Sequence, residues 1–408
     1  MPKGFFFLIL AQFASGLADN AFMILGVYFL HEQGYPPWWA PLLKFSFTLA
    51  YVLLAAIAGP LADAFPKSRL MAAMNALKLM GVILLVSGVH PLYAFALTGL
   101  AAALYAPAKY GWVCESVSPR LLVKANAWLE VSVVMSVMLG VALGGAMIHV
   151  YTLVEVPDFV PLHGFESPLG VSTQVWGAFA WVAVVYGISA LFNIGVGTAQ
   201  VQPCQPLTWS AMRWSAFWHH QRQLWSDPLG GMSLYVTTLC WGVGAVLQFA
   251  VLVWAQKNAG LTLQQGAYLQ AVVALGVMGG AAMAAATCQI FNARRALPWG
   301  WVLAALLPCM ALTQVLWLAV IMLLLAGWAG GMLLVPMNAL LQHRGIKIMK
   351  SGRSIAVQGF NENLSVLIML GAYSALLAWD VPLLPIMLLF SLPLLAAVMP
   401  WKSRNPKT

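Results

Sequence analysis

Apolar runs of about 20 residues, the length that carries an α-helix across a bilayer, recur from one end of the chain to the other. They predict spans at 5–31, 39–62, 70–89, 92–114, 125–149 and 175–198. A second set falls at 230–256, 265–290, 297–318, 319–341, 354–378 and 383–400. The least distinct boundary lies within 297–341, where two short runs abut. The pattern predicts an all-α integral membrane protein of about twelve transmembrane helices. Polar residues gather in the joints, and the longest joint, 201–228, separates six spans from six. Within it Trp214, Phe217, Trp218, Leu224 and Trp225 recur at helical spacing, while Arg213, His219, His220 and Arg222 take other positions. That spacing predicts an amphipathic helix lying in the headgroup region; an irregular linker is the alternative. The expected organisation is a six-helix bundle over 1–200, a connection over 201–228, and a second six-helix bundle with a short basic tail over 229–408.

Composition agrees with the pattern. Hydrophobic residues make up 62% of the chain and charged residues 8%, and the mean hydropathy is +0.85. These values exclude an ordinary soluble protein. The placement of the basic residues then sets orientation. Lys3, Lys67, Arg69, Arg120, Lys124, Arg213, Arg222, Arg294, Arg295, Arg344, Lys347, Lys350, Arg353, Lys402, Arg404 and Lys407 fall on one side, which is 16 of the 20 Lys and Arg. By the positive-inside rule both termini are cytoplasmic. The net charge of +9 therefore reports topology and attraction to anionic leaflet lipid, with no nucleic-acid partner expected. Glu32, Glu155, Asp158, Glu166 and Asp380 collect on the opposite face. The first apolar run resumes after Asn20 and ends near Leu30, so it reads as a span rather than a cleaved signal peptide.

Candidate chemistry is sparse. The five cysteines are scattered, with no metal-ligand spacing and no disulfide framework, and no cofactor or metal is expected. His31-Glu32 begins like a zinc-protease motif but lacks the second histidine, and His219-His220 lacks the aspartate of an acyltransferase motif. The chain does not read as an enzyme.

What remains are five charges inside apolar stretches: Asp19, Lys78, Lys109, Glu130 and Glu362. Each costs about 2.5–3.5 kcal/mol at mid-bilayer on insertion scales, so such residues face a polar cavity, and a cavity crossing a membrane is a pathway. Asp19 and Lys109 are the leading candidates, expected to attract each other in one state and to separate around a charged substrate. Lys78 either lines the pathway or snorkels to the interface. Glu130 and Glu362 are either cavity residues or partners of nearby Arg and Lys. Asn20, Tyr110, Asn126, Gln358, Asn361 and Asn363 add neutral donors and acceptors.

The two halves also echo each other. Pro107 precedes Glu130 by 23 residues and Pro336 precedes Glu362 by 26, each pair enclosing a basic joint. After span two, Gly59-Pro60-Leu61-Ala62-Asp63 with Lys67 and Arg69 resembles the loop signature of the major facilitator superfamily, although Pro66 stands where the fuller pattern has glycine. Gly59, Asp63, Lys67 and Arg69 are the expected gate or latch. Further stretches resemble the bacterial lysophospholipid transporter (LplT) family within that superfamily. They are Leu17-Ala18-Asp19-Asn20-Ala21, Asn75-Ala76-Leu77-Lys78, Pro107-Ala108-Lys109-Tyr110-Gly111, Lys124-Ala125-Asn126 with Glu130, Val335-Pro336-Met337-Asn338, and Gln358-Gly359-Phe360-Asn361-Glu362-Asn363.

The resemblance implies the major facilitator fold and an inner-membrane flippase; a monomer is expected. It implies movement of lysophosphatidylethanolamine and lysophosphatidylglycerol from the outer to the inner leaflet by alternating access, without ATP. It also implies a functional link to a cytoplasmic acyltransferase/acyl carrier protein synthetase that reacylates them. Three departures stand out: Gln248 where the family carries arginine, an acidic, Pro-rich insertion at 151–174, and His343 beside Arg344 in place of an acidic residue. The nearest alternative is a proton-coupled exporter of drugs or lipophilic metabolites, with Asp19, Glu130 or Glu362 as its protonation site.

Overall fold

The computed structural model describes residues 1–35, 39–153, 173–197 and 204–398. Most of the 151–174 insertion, with Glu155, Asp158 and Glu166, and the tail bearing Lys402, Arg404 and Lys407 lie outside the described residues. The regular structure is helical: α1 (Lys3–Glu32), α2 (Trp39–Leu53), α3 (Ala55–Ala64), α4 (Lys67–Val86), α5 (Pro91–Ser116), α6 (Leu122–Leu153) and α7 (Thr173–Gly195). After them come α8 (Trp214–Ser226), α9 (Pro228–Ala259), α10 (Leu263–Thr287), α11 (Pro298–Leu312), α12 (Leu316–Ile348), α13 (Ser351–Ala378) and α14 (Leu383–Val398). Among the described residues ten helices are long and apolar enough to cross a membrane, and α2 with α3 makes an eleventh if counted as one broken span. A shorter apolar helix over Leu383–Leu395 completes the series.

Each predicted span coincides with a helix, and the differences are local. Span two is broken at Leu54, where α2 and α3 meet at 64°. The doubtful boundary in 297–341 falls after Leu312. There the indole N–H of Trp254 donates to the Thr313 carbonyl at 3.0 Å, satisfying a group that the ending helix leaves free. α12 then runs 33 residues, about 50 Å by helix rise, so Arg344 and Lys347 sit on its last turns rather than in a basic loop. Cations there are favoured by the carbonyl end of the helix dipole.

The caps follow local chemistry. Asp227 caps α9 ahead of Pro228, its carboxylate accepting from the Gly230 N–H at 2.7 Å. Thr262 and Gln265 form a capping box at the start of α10.

The chain forms two compact units. Met1–Ser116 with Met135–Met212 make unit one, and Val117–Val134 with Arg213–Thr408 make unit two. In unit one, α1 packs on α7, α4 on α5 and α7, and α2 on α5. Its core is centred on Phe22, which stacks on Phe95 at 4.4 Å between centroids and meets Phe179 edge-on. In unit two, α10 lies against α12, and α9 against α12 and α13. Gly276 and Gly280 of α10 face Gly327 and Gly331 of α12 so closely that a Cβ at any of them would collide with the opposite backbone. In lipid, where apolar burial between helices gains little, that approach supplies the packing.

The amphipathic helix expected in 201–228 is α8, and its faces differ from the simple expectation. Phe217, Gln221 and Leu224 are buried. Trp214, Phe217 and Trp218 ring Phe360 of α13 at 5.1–6.4 Å. Gln221 and Asn361 exchange two amide hydrogen bonds at 2.8 and 2.9 Å. The central stripe therefore docks on the bundle, while Trp214, Trp218, Arg213 and Arg222 stay exposed.

Candidate functional site: two buried polar clusters

In unit one, each of four apolar helices carries a short polar stripe at helical spacing: Gln12, Ser15 and Asp19 on α1; Asn75 and Lys78 on α4; Tyr105 and Lys109 on α5; Tyr186, Ser189 and Asn193 on α7. Residues three and four apart share a face, so the stripes meet. Lys78 Nζ lies 2.7 Å from Asp19 Oδ2 and also donates to Ser15 Oγ at 2.9 Å. The Tyr186 hydroxyl donates to Asp19 Oδ1 at 2.7 Å. Ser15 donates to Asn75 Oδ1 at 2.8 Å, Asn75 Nδ2 to Ser189 Oγ at 2.9 Å, and Ser189 to the Ala11 carbonyl at 2.7 Å. Tyr105 and Tyr186 present ring faces to the Lys78 ammonium at 5.5 and 5.8 Å.

In this structure the ion pair of Asp19 is with Lys78, whereas an Asp19–Lys109 attraction was expected in one state. Lys78 is only 2% exposed and does not snorkel. Lys109, 6% exposed, donates to Gln12 Oε1 at 2.7 Å and lies 4.3 Å from the centroid of Tyr110.

Unit two holds the acidic counterpart. Glu362 accepts from Gln358 Nε2 at 2.8 Å, Gln358 Nε2 also donates to Asn338 Oδ1 at 2.9 Å, and Thr237 bonds the same carboxylate. Glu130, 8% exposed, is the second carboxylate whose field reaches Glu362. The partners of Glu362 are thus an amide, a hydroxyl and the field of a second carboxylate.

The asparagines divide. Asn20, Asn126, Asn361 and Asn363 each donate to the backbone carbonyl four residues back. Asn20 and Asn363 thus brace their own helices. Asn361 ties α13 to α8, and Asn126 exchanges two hydrogen bonds with Gln342 of α12 at 2.8 and 2.9 Å.

Lys67 bonds Glu115 at the end of α5, at 2.8 and 2.9 Å to its two oxygens. Gly59 and Asp63 are buried in α3, Arg69 is exposed on α4, and the Asp63 carbonyl accepts from the Gln205 N–H at 3.0 Å. A second ion pair that sequence reasoning missed joins Arg344 to Asp227 through two hydrogen bonds. Partial burial works against the charged form of Asp227, but Arg344 and the Gly230 N–H outweigh it and hold the carboxyl below its ordinary range. At the departure Gln248, the backbone carbonyl accepts from Gln270 Nε2 at 3.0 Å and the side chain is exposed.

The sequence matches the Major Facilitator Superfamily over residues 8–369. It is 35% identical over 386 residues to the lysophospholipid transporter LplT of Shigella flexneri, a match covering 94% of this chain and 91% of that one. The chain belongs to the lysophospholipid transporter family of the major facilitator superfamily. A family member from Escherichia coli strain SE11 is 34% identical over 387 residues, with the same coverage. Among solved structures, the fold resembles that of the human organic anion transporter MFSD10, with a TM-score of 0.71 and 14% identity over 98% of this chain and 99% of the other. It also resembles a bacterial homologue of the iron transporter ferroportin, with a TM-score of 0.72 and 16% identity over 99% of this chain and 100% of the other. The family is one of transporters, and the protein is a multi-pass membrane transporter rather than an enzyme.

Proposed function

We propose that this protein moves lysophospholipids, lysophosphatidylethanolamine and lysophosphatidylglycerol, from the outer to the inner leaflet of the bacterial inner membrane by alternating access without ATP. The observation that carries the reading is the 35% identity to lysophospholipid transporter LplT along 94% of the chain. The chemistry of unit one supports it. A lysophospholipid needs polar shelter for a phosphate-bearing head and an apolar surround for one acyl chain. Lys109, a buried ammonium held by Gln12 and Tyr110, is the group that draws the phosphate, because a desolvated cation attracts an anion far more strongly than a hydrated one. Asp19 and Lys78 neutralise each other and position the surrounding stripe. Lys67 with Glu115 takes the latch role, beside Asp63 and Arg69.

In this reading the chain acts as a monomer with both termini in the cytoplasm, and it delivers substrate to a cytoplasmic acyltransferase/acyl carrier protein synthetase. The test is uptake of labelled lysophosphatidylethanolamine by spheroplasts that lack other lysolipid uptake, with and without an uncoupler. Uptake that depends on this protein and survives the uncoupler is expected. No uptake overturns the reading, and uptake abolished by the uncoupler returns the proton-coupled alternative. Reporter fusions at residues 1 and 408 test the orientation.

A further inference from the structure

In unit two a cavity of about 490 Å³ opens where α8 turns into α9. Its lining includes His219, Arg222, Gln223, Ser226, Asp227 and, from the last turn of α12, Ile348. The one carboxylate among them, Asp227, is already engaged: Arg344 bonds both of its oxygens and the Gly230 N–H bonds one of them. Arg222 is exposed and makes no ion pair among the described residues. The Gln223 carbonyl oxygen lies 3.3 Å from His220 Nδ1, which leaves the carboxamide NH2 to donate elsewhere. The exposed Ser226 hydroxyl has no partner among the described residues, and a further exposed cation, Lys347, adjoins Ile348 in the chain. Such a lining has no free carboxylate to meet a cation and several donors to meet an anion. The guanidinium fork of an unpaired arginine matches the oxygens of a phosphate in particular.

The setting of the cavity points to the source of that phosphate. Trp214, Trp218, Arg222 and Ser226 follow one another at four-residue intervals, so two exposed indoles and two donors of the cavity share one face of α8. Indoles settle at the level of lipid headgroups, and basic segments at that level attract anionic lipid. We propose that this cavity holds the phosphate of an anionic phospholipid from the leaflet in which α8 lies. Arg222 grips the phosphate oxygens, Gln223 and Ser226 complete the hydrogen bonds, and Ile348 gives the glycerol backbone an aliphatic wall. The bound lipid bridges α8 to the end of α12. The site lies apart from the polar stripes of unit one and does not depend on which lipid they move.

Full-length protein purified in detergent is titrated with phosphatidylglycerol or with diacylglycerol of the same acyl chains, and the retained lipid is counted by native mass spectrometry. Phosphatidylglycerol is expected to bind about tenfold more tightly than diacylglycerol, the difference that one charge-assisted contact makes. Arg222→Gln should remove most of that preference, Gln223→Leu part of it, and Arg222→Lys should restore part by keeping the charge without the fork. Arg213→Gln, at the start of α8 and outside the cavity, should leave it unchanged. Equal losses in Arg222→Gln and Arg213→Gln reduce the effect to general surface charge and overturn the proposal, as does equal binding of the two lipids by the wild type. A competition series adds glycerol 1-phosphate. Displacement of phosphatidylglycerol by an equal concentration of it makes the source a soluble phosphate and overturns the lipid assignment, whereas retention of the lipid supports it.

Discussion

Asp19 is neutralised by Lys78: the two side chains meet at 2.7 Å between α1 and α4, with the Tyr186 hydroxyl closing the other carboxylate oxygen. Removing one member of such a pair strands the other charge in a low-dielectric setting, at a cost of about 3–5 kcal/mol. Asp19→Asn and Lys78→Gln are each expected to lower the thermal unfolding temperature of detergent-purified protein substantially. The double variant should regain part of the loss. Additive losses in the double variant would mean that the pair contributes no coupling.

Lys109 is a buried cation that donates to the Gln12 amide and lies over the Tyr110 ring. Lys109→Gln should reduce lysophospholipid uptake about 10- to 100-fold, the loss of one hydrogen bond to a charged group. The amount of folded protein in the membrane should hold near wild type. Wild-type uptake by this variant would remove Lys109 from the pathway.

Asp227 caps α9 and binds Arg344, so Asp227→Asn is expected to destabilise the protein by about 2 kcal/mol. Its folded carboxyl is held below the ordinary aspartate value. The contribution is therefore complete above pH about 4 and is lost as pH falls through the lower, folded value. Unfolding temperatures from pH 7 down to 3 should show wild type losing an advantage over Asp227→Asn only at the acid end.

Gly331 faces the backbone of α10 from α12. Gly331→Ala should sharply lower the folded yield measured by size-exclusion profile, whereas Gly330→Ala, whose Cβ meets open space, should be tolerated. Equal tolerance at both positions would show that close α10–α12 packing is dispensable.

The helices were legible because a bilayer imposes one length and one composition on every span. The five embedded charges were legible for the same reason, since apolar surroundings make them conspicuous. Their partners were harder to read. Lys78 could be counted but not paired, because pairing depends on which helices adjoin. The signal was nevertheless present: Ser15 and Asp19, Asn75 and Lys78, and Tyr186 and Ser189 each repeat at three or four residues within a span, marking the faces that meet. Glu115 and Asp227 were overlooked because charges at helix ends look like ordinary joints. The docking of α8 through Gln221 depends on Asn361, which is 140 residues away, and no local pattern carries that information.

Helix α6 starts in one unit and finishes in the other, and this imposes an order on biosynthesis. Asn126 leaves the ribosome long before its partner exists; Gln342 follows 216 residues later. Until then the Asn126 amide must wait without the side chain it exchanges hydrogen bonds with. Completion of unit two is thus the last event of assembly. A chain truncated in its second half would leave its first half exposing a polar helix segment, which is a mark that membrane quality control can recognise.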